Sequence, residues 1–203
     1  MSDTLSKIQY WGLLTLIFLT PLFFLPITSE FYDFNKKALL VAGGLVLAAL
    51  WAIRSFKEKR LVVVTSPLDT AVIIFAATVL LSSILRTPNK PEAFFVPGTA
   101  TTILAATLLY FLVTQTIRNV QYTIRHTLWA LFASGFVVSL VSIAASTGML
   151  EPVAGLPAFM KARIFSLPGS PLSTLTYLAV IAVLGVGEAL RAARSDRPRV
   201  RMS

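Results

Sequence analysis

The sequence predicts an all-α, polytopic membrane protein with about six transmembrane helices and with both termini in the cytoplasm. Of its 203 residues, 56% are hydrophobic and only 13% are charged, and the mean hydropathy is +0.77. Ordinary soluble domains contain roughly 45–50% apolar residues on a comparable count. The high apolar content, the lengths of the apolar stretches and the distribution of the basic residues all indicate this fold class.

Six stretches are apolar enough to span a membrane, because about 20 apolar residues in a helix cross a hydrocarbon core of roughly 30 Å. These spans are residues 8–27, 34–53, 68–85, 100–117, 128–145 and 172–187. The second and sixth are short, and Lys36 and Lys37 can extend the second by snorkelling. The first has only Lys7 before its apolar core and no small-residue cleavage site, which argues against a removable signal peptide. We therefore expect one helical membrane domain over residues 1–190.

The 18 Lys and Arg residues divide unequally between the two sides of these spans. Twelve lie in the N-terminal segment, the second and fourth loops and the C-terminal tail. The other six are Lys36 and Lys37 at the outward end of the second span and four residues in the third and fifth loops. Short cytoplasmic loops are enriched in Lys and Arg. The basic tail, residues 191–203, is therefore expected in the cytoplasm, and the longest loop, residues 146–171, is expected on the outer side.

Composition also disfavours several classes of protein. The chain has no cysteine and a single histidine, His126, so neither a thiolate nor a histidine-rich metal site is expected, and no cofactor is predicted. The net charge of +9 comes from short loops between apolar runs, so we expect the lipid bilayer, and no nucleic acid, as a partner. Ion-coupled transporters usually have ionisable groups within their spans. None lies mid-span here, and Thr114 and Gln115 are expected to bond to neighbouring helices.

Two local patterns predict structural roles for acidic residues. In "TSPLD", Ser66 is placed as an N-cap and Pro67 at the first helical position, so the Asp69 carboxylate can reach back to free amides. This capping role is favoured over a proton or cation site. Near the cytoplasmic end of the last span, Glu188 has Arg191 three residues later, which predicts a surface ion pair.

The outward loop, residues 146–171, contains the candidate binding site. Its sequence "GMLEPVAGLPAFMKARIFSLPGSP" has apolar residues throughout, so the loop is expected to lie at the membrane interface with Lys161 and Arg163 directed at phosphates. The planar guanidinium of Arg163 can make bidentate contacts with a diphosphate, and the N-terminus of the last helix adds positive potential nearby. We predict that Arg163, assisted by Lys161, binds such an anion. The alternative, that both are interfacial anchors for the last helix, remains open.

Three segments resemble a known family when they are taken in order: "TPLFFLPITSEFYDFNKKALLV", "SPLDTAVIIFAATVLLSSI" and "RIFSLPGSPLSTLTYLAV". They are similar to the N-terminal half of the bacterial O-antigen ligase and O-antigen polymerase-like membrane proteins. In that family an outward Arg, an aromatic residue, a Gly and an Asn-Pro-Asn stretch precede an apolar span. Four residues match this pattern in order: Arg163, Phe165, Gly169 and Pro171. Ser170 and Leu172 stand where Asn is typical.

The resemblance implies a metal-independent glycosyltransferase of the bacterial cytoplasmic membrane. Such a protein transfers or polymerises an oligosaccharide carried on a polyprenyl diphosphate, in cell-envelope glycan assembly. Family members are longer and place key His and Arg residues in a C-terminal outward loop, so the chain is expected to be a truncated or N-terminal part. A separate protein would then supply the C-terminal half. His126, predicted on the cytoplasmic side, cannot replace those groups, and no catalytic residue is assigned.

A second hypothesis belongs to a different class. The chain would be a small non-enzymatic membrane protein that acts as a multispan scaffold or as a partner subunit. In that case Arg163 and Lys161 would serve only as interfacial anchors, and no lipid-linked glycan would bind.

Overall fold

The computed structural model describes residues 2–25, 33–59, 63–96, 99–116 and 120–195, and all regular structure within these ranges is helical. The α-helices are α1 (Ser2–Leu19), α2 (Asp33–Glu58), α3 (Asp69–Leu85), α4 (Lys90–Phe95), α5 (Ala100–Thr116), α6 (Val120–Ser146) and α7 (Pro171–Ser195). A short 3-10 helix, Ala158–Lys161, lies between α6 and α7. The prediction of an all-α protein is confirmed.

Four helical segments are long and apolar enough to cross a membrane: Asp33–Glu58, Lys90–Thr116, which comprises α4 and α5, Ile124–Ser146 and Pro171–Ala193. Helix α3 is also apolar but shorter. Helix α1 overlaps the first predicted span but is not one of the four, and part of that span lies outside the described residues. These four helices indicate a membrane protein. The count of about six spans and the cytoplasmic position of the termini stay predictions.

Several helices extend beyond the spans predicted for them. The second span was expected at 34–53 and the sixth at 172–187, whereas α2 reaches Glu58 and α7 reaches Ser195. Hydropathy detects only the apolar part of a helix. The added turns contain Ala, Glu, Lys and Arg, which have high helix propensity, so the helices continue into polar sequence.

The chain folds as two compact units, residues 1–130 and 131–203, and the boundary falls within α6. In the first unit, α1, α2 and α5 pack around a core of four buried leucines: Leu13, Leu16, Leu47 and Leu112. Glycines permit the close approach of α1 and α2. A Cβ atom added at Gly43 would lie 2.6 Å from Leu16 Cδ1, and one at Gly12 would lie 2.9 Å from Leu47 Cδ2.

Asp69 connects the start of α3 to α5. Its Oδ2 accepts a hydrogen bond of 2.7 Å from the Ser66 backbone N–H, which confirms the predicted reach of the carboxylate to a free amide. Its Oδ1 accepts a second hydrogen bond of 2.8 Å from the Tyr110 hydroxyl on α5. The predictions of Ser66 as N-cap and of Pro67 as the first helical residue are wrong, because Leu68 is the N-cap and the helix begins at Asp69. Asp69 therefore stabilises both a helix end and a tertiary contact.

Gln115 and Lys37 make further long-range hydrogen bonds in the first unit. The Gln115 side chain on α5 accepts from the Val64 N–H at 2.9 Å and donates to the Val64 carbonyl at 3.0 Å. Thr114, in contrast, donates to Phe111 O in its own helix. The buried ammonium of Lys37 donates to the carbonyls of residues 94, 95 and 96 at 2.7, 2.8 and 3.1 Å. Its head group thus lies among backbone carbonyls at the end of α4.

In the second unit, the later part of α6 packs against α7. The buried Ser134 hydroxyl and the Tyr177 hydroxyl share a hydrogen bond of 2.6 Å between the two helices. Gly135 allows close contact with α7, since an added Cβ would lie 3.2 Å from Ile181 Cγ2. At the far end of α7, Arg191 Nη1 donates to Glu188 Oε1 at 3.4 Å, which confirms the predicted surface pair.

Candidate functional site

A cavity of about 460 Å³ lies in the second unit, between the C-terminal part of α6, the loop that follows it and the first turns of α7. This volume falls within the roughly 300–1,000 Å³ typical of ligand pockets. Five lining residues bear hydroxyl groups: Ser139, Ser142, Ser146, Ser166 and Thr174. Arg163 is the cation of the lining, and apolar side chains such as Ile143 and Leu178 form much of the rest. The cavity is therefore amphipathic, and Arg163 is its one cationic side chain among the described residues.

Local hydrogen bonds fix the start of α7 at this cavity. The Ser170 hydroxyl accepts a bond of 3.0 Å from the Ser173 N–H, and Pro171 occupies the first helical position. This is the arrangement of an N-cap followed by proline. Pro171 and Arg163 both line the cavity, as expected from the predicted proximity of Arg163 to the last helix.

The loop segment before α7 is held down by a pair of hydroxyl groups. Ser166 and Thr174 are buried and share a hydrogen bond, and both hydroxyl oxygens lie 3.1 Å from the Ser170 carbonyl oxygen. Between them the chain turns at Gly169, whose φ of 109° favours glycine. Arg163 therefore precedes a segment that is fixed to the helix.

Arg163 is paired with Glu151, a residue that the sequence analysis did not single out. Arg163 Nε donates to Glu151 Oε1 at 2.9 Å, and the two side chains are 70% and 49% exposed. A Cβ added at Gly148, where φ is 77°, would lie 3.2 Å from Glu151 Oε1 and 3.7 Å from Arg163 Nη2. The ion pair thus covers the turn that ends α6. The sequence indicated this ion pair only through its composition, because the loop contains one carboxylate, Glu151, and two cations, Lys161 and Arg163.

The two predicted binding residues occupy different positions. Arg163 lines the cavity, whereas Lys161 ends the 3-10 helix, is half-buried and is not a lining residue. The neighbouring apolar residues also differ from one another. Phe165 is buried and its ring lies 6.1 Å from that of Phe159, while Ile164 is exposed on the loop. Ile164 also lines the cavity, and the interfacial position of this loop stays a prediction.

Serines on α6 are the cavity residues that sequence reasoning missed. Ser139, Ser142 and Ser146 are spaced three and then four residues apart, so they lie on one face of the helix. This spacing was visible in the sequence. The association of these serines with Arg163 depends on the folding of the loop over α6. Helical periodicity does not predict that folding.

The described residues contain no group of three or more His, Cys, Asp or Glu side chains that could hold a metal ion. The fold and the site define a helical membrane protein with an amphipathic cavity. No protein-family model, curated protein or solved structure matches the chain. The similarity to O-antigen ligases and O-antigen polymerase-like proteins therefore stays a prediction.

Proposed function

We propose that this chain is a multi-pass protein of the bacterial cytoplasmic membrane that binds a polyprenyl-diphosphate-linked oligosaccharide. In this proposal it acts as part of an O-antigen ligase or polymerase-like glycosyltransferase in cell-envelope glycan assembly. The observation that supports binding most directly is the cavity of about 460 Å³, which Arg163 lines together with five hydroxyl-bearing residues. A lipid carrier with a charged, hydroxylated head group has the same combination of chemical features.

Arg163 supplies the contacts for the diphosphate. Within the described part of the chain, its one hydrogen bond is from Nε to Glu151, so both Nη groups can donate to phosphate oxygens. Planar guanidinium groups bind phosphate oxygens in a bidentate manner, and such charge-assisted bonds are about twice as strong as neutral ones. The apolar lining residues, such as Leu175 and Leu178, would contact the first isoprene units.

The proposed orientation places the cavity on the outer side of the membrane and both termini in the cytoplasm. Its support is the distribution of Lys and Arg, twelve of which lie in the segments assigned to the cytoplasm. Lipid-linked oligosaccharides would then meet Arg163 after they reach the outer leaflet.

Substitution of Arg163 provides the test. Purified protein in lipid nanodiscs would be titrated with a long-chain polyprenyl diphosphate, and wild type would be compared with Arg163→Lys and Arg163→Ala. A lysine keeps the charge but loses the planar fork, so Arg163→Lys should weaken binding. Arg163→Ala should weaken it further, by about 1.5–3 kcal/mol for a lost charged hydrogen bond, or roughly tenfold or more.

Arg191 is the matched control, because it is also an exposed arginine paired with a glutamate, but it does not line the cavity. Arg191→Lys and Arg191→Ala should leave binding unchanged. Equal binding by wild type, Arg163→Lys and Arg163→Ala would contradict the proposal.

The scaffold or partner-subunit hypothesis has one specific observation in its favour. Glu151 already neutralises Arg163, and the pair covers the glycine turn at the end of α6. An anchor that only fixes this loop would need no more than that contact. The scaffold or partner-subunit hypothesis predicts that no Arg163 variant changes lipid binding, so the same titration separates the two functions.

A further inference from the structure

The hydroxyl groups of the cavity differ in their hydrogen bonding. Ser139 Oγ donates to Gly135 O at 2.9 Å, and Ser146 Oγ donates to Ile143 O at 3.0 Å. Ser166 and Thr174 bond to each other across the loop and α7. These four hydroxyl groups are therefore held in place by the protein itself.

Ser142 is different from the other four. Its Oγ is buried and has no hydrogen-bond partner among the described residues, although the residue lines the cavity. A buried hydroxyl without a partner is unfavourable, because it has lost its hydrogen bonds to water. A rotation about the single torsion χ1 is needed to turn this buried Oγ toward the cavity, and no hydrogen bond to a described residue has to break for that movement. A ligand in the cavity would supply the missing partner.

The chemistry of Ser142 indicates which part of a ligand it meets. A serine hydroxyl both donates and accepts, so a sugar hydroxyl or amide group can use both of its functions, whereas an ionised phosphate can only accept from it. Arg163, which lines the same cavity, already provides for the phosphate. The cavity volume of about 460 Å³ is large compared with the roughly 30 Å³ that one water molecule occupies. The volume corresponds to about fifteen water molecules, so we expect the cavity to hold a group larger than a diphosphate.

We propose that Ser142 is a specificity-determining residue that hydrogen-bonds the sugar directly attached to the diphosphate of the lipid carrier. This inference rests on the proposed function, and it assigns the sugar end of the ligand to the serine face of α6. A site with a buried hydrogen-bonding group discriminates against a ligand that lacks the complementary group, because the protein group is then left unpaired. Ser142 would thus distinguish a glycosylated carrier from a bare one.

Two probes test this role in nanodiscs: a long-chain polyprenyl diphosphate, and the same carrier bearing one N-acetylhexosamine. Wild type should bind the glycosylated carrier more tightly. Ser142→Ala should weaken binding of the glycosylated carrier by about three- to tenfold, the range for one neutral hydrogen bond, and should leave binding of the bare carrier unchanged. Ser55→Ala is the matched control, since Ser55 is a half-buried helical serine whose Oγ donates to Trp51 O at 3.0 Å in the first unit.

The outcomes separate this inference from the proposed function. If Ser142→Ala changes both probes equally or changes neither, Ser142 does not recognise the sugar, while binding of the probes by wild type still supports the proposed function. If wild type binds neither probe, the proposed function itself is overturned. Phosphatidylinositol also joins a phosphate to a hydroxylated ring, so it is added as a competitor. Its displacement of the glycosylated carrier at equal concentration would overturn the assignment to a carrier-linked sugar.

Discussion

Arg163 donates from Nε to Glu151 Oε1 over 2.9 Å, so the cation predicted to bind an anion is already paired within its own loop. Both side chains are exposed, and exposed ion pairs typically contribute only about 0–1 kcal/mol. A diphosphate bears more negative charge than one carboxylate and can compete for the same guanidinium. Glu151 is therefore expected to be a weak competitor of the proposed ligand.

Glu151→Gln should tighten binding of a polyprenyl diphosphate. The glutamine amide oxygen can still accept from Nε, but the substitution removes a negative charge that competes with the phosphate. A gain of roughly two- to fivefold is therefore expected for a pair of up to about 1 kcal/mol. The measurement is the same nanodisc titration. Glu188→Gln is the control, because Glu188 is also paired with an exposed arginine but lies outside the cavity lining. Weaker binding by Glu151→Gln would mean that Glu151 orients the guanidinium for the ligand instead of competing with it.

Thiol labelling should establish the topology, and the absence of native cysteine makes single-cysteine variants unambiguous. Cysteines at Asn89 and Ala154, both exposed, should react with an impermeant reagent in intact cells, whereas one at Ser195 should react only after lysis. Ser166 lies in the same outward loop but is only 4% exposed, so it is a poor labelling site. Labelling at Ser195 with protection at Ala154 would reverse the predicted orientation.

Features that depend on short-range chemistry were predictable from the sequence. The contact of Asp69 with the Ser66 amide involves residues three apart, and the capping pattern predicted it. The same pattern placed the N-cap at Ser66, two residues before its position at Leu68. The pair Glu188 and Arg191 is equally local. The all-α class follows from apolar stretches of helical length. In contrast, the second bond of Asp69, to Tyr110, joins residues distant in sequence and has no local signature.

The candidate site was predictable only in part. Arg163 was chosen for its charge in an apolar loop, and it lines the cavity, but its pairing with Glu151 depends on the turns between the two residues. The bond between Ser166 and Thr174 brings the loop onto α7, and no periodic pattern indicates it. The unpaired state of the Ser142 hydroxyl depends on its rotamer, which sequence does not specify.

Loss of Asp69 should reduce stability without affecting lipid binding. Asp69→Ala removes the bonds to the Ser66 amide and the Tyr110 hydroxyl, so a loss of about 1–3 kcal/mol in the free energy of unfolding is expected. Tyr110→Phe removes only one of these bonds and should cost about 0.5–1.5 kcal/mol. Unfolding in detergent, followed by circular dichroism, measures both. A larger loss for Tyr110→Phe than for Asp69→Ala would contradict the assigned structural role of the carboxylate.

Substitution of Gly43 tests the packing of α1 against α2. A Cβ at this position would lie 2.6 Å from Leu16 Cδ1, and Leu16 is buried in the core of the first unit, so its side chain has little space into which it can move. Overpacking of this kind typically costs about 1–3 kcal/mol, which exceeds the roughly 1 kcal/mol that alanine gains over glycine in a helix. Gly43→Ala should therefore lower the unfolding temperature in detergent.

Gly187 provides the opposite case within α7. Apart from the local helix backbone, no atom of the described residues lies within 4 Å of a Cβ added there. Gly187→Ala therefore gains helix propensity without a clash and should raise the unfolding temperature or leave it unchanged. The critical result is whether the unfolding temperature changes in opposite directions for Gly43→Ala and Gly187→Ala, because both variants make the same chemical change in an apolar helix. If Gly43→Ala is as stable as Gly187→Ala, then α1 and α2 do not approach as closely as the contact between Gly43 and Leu16 requires.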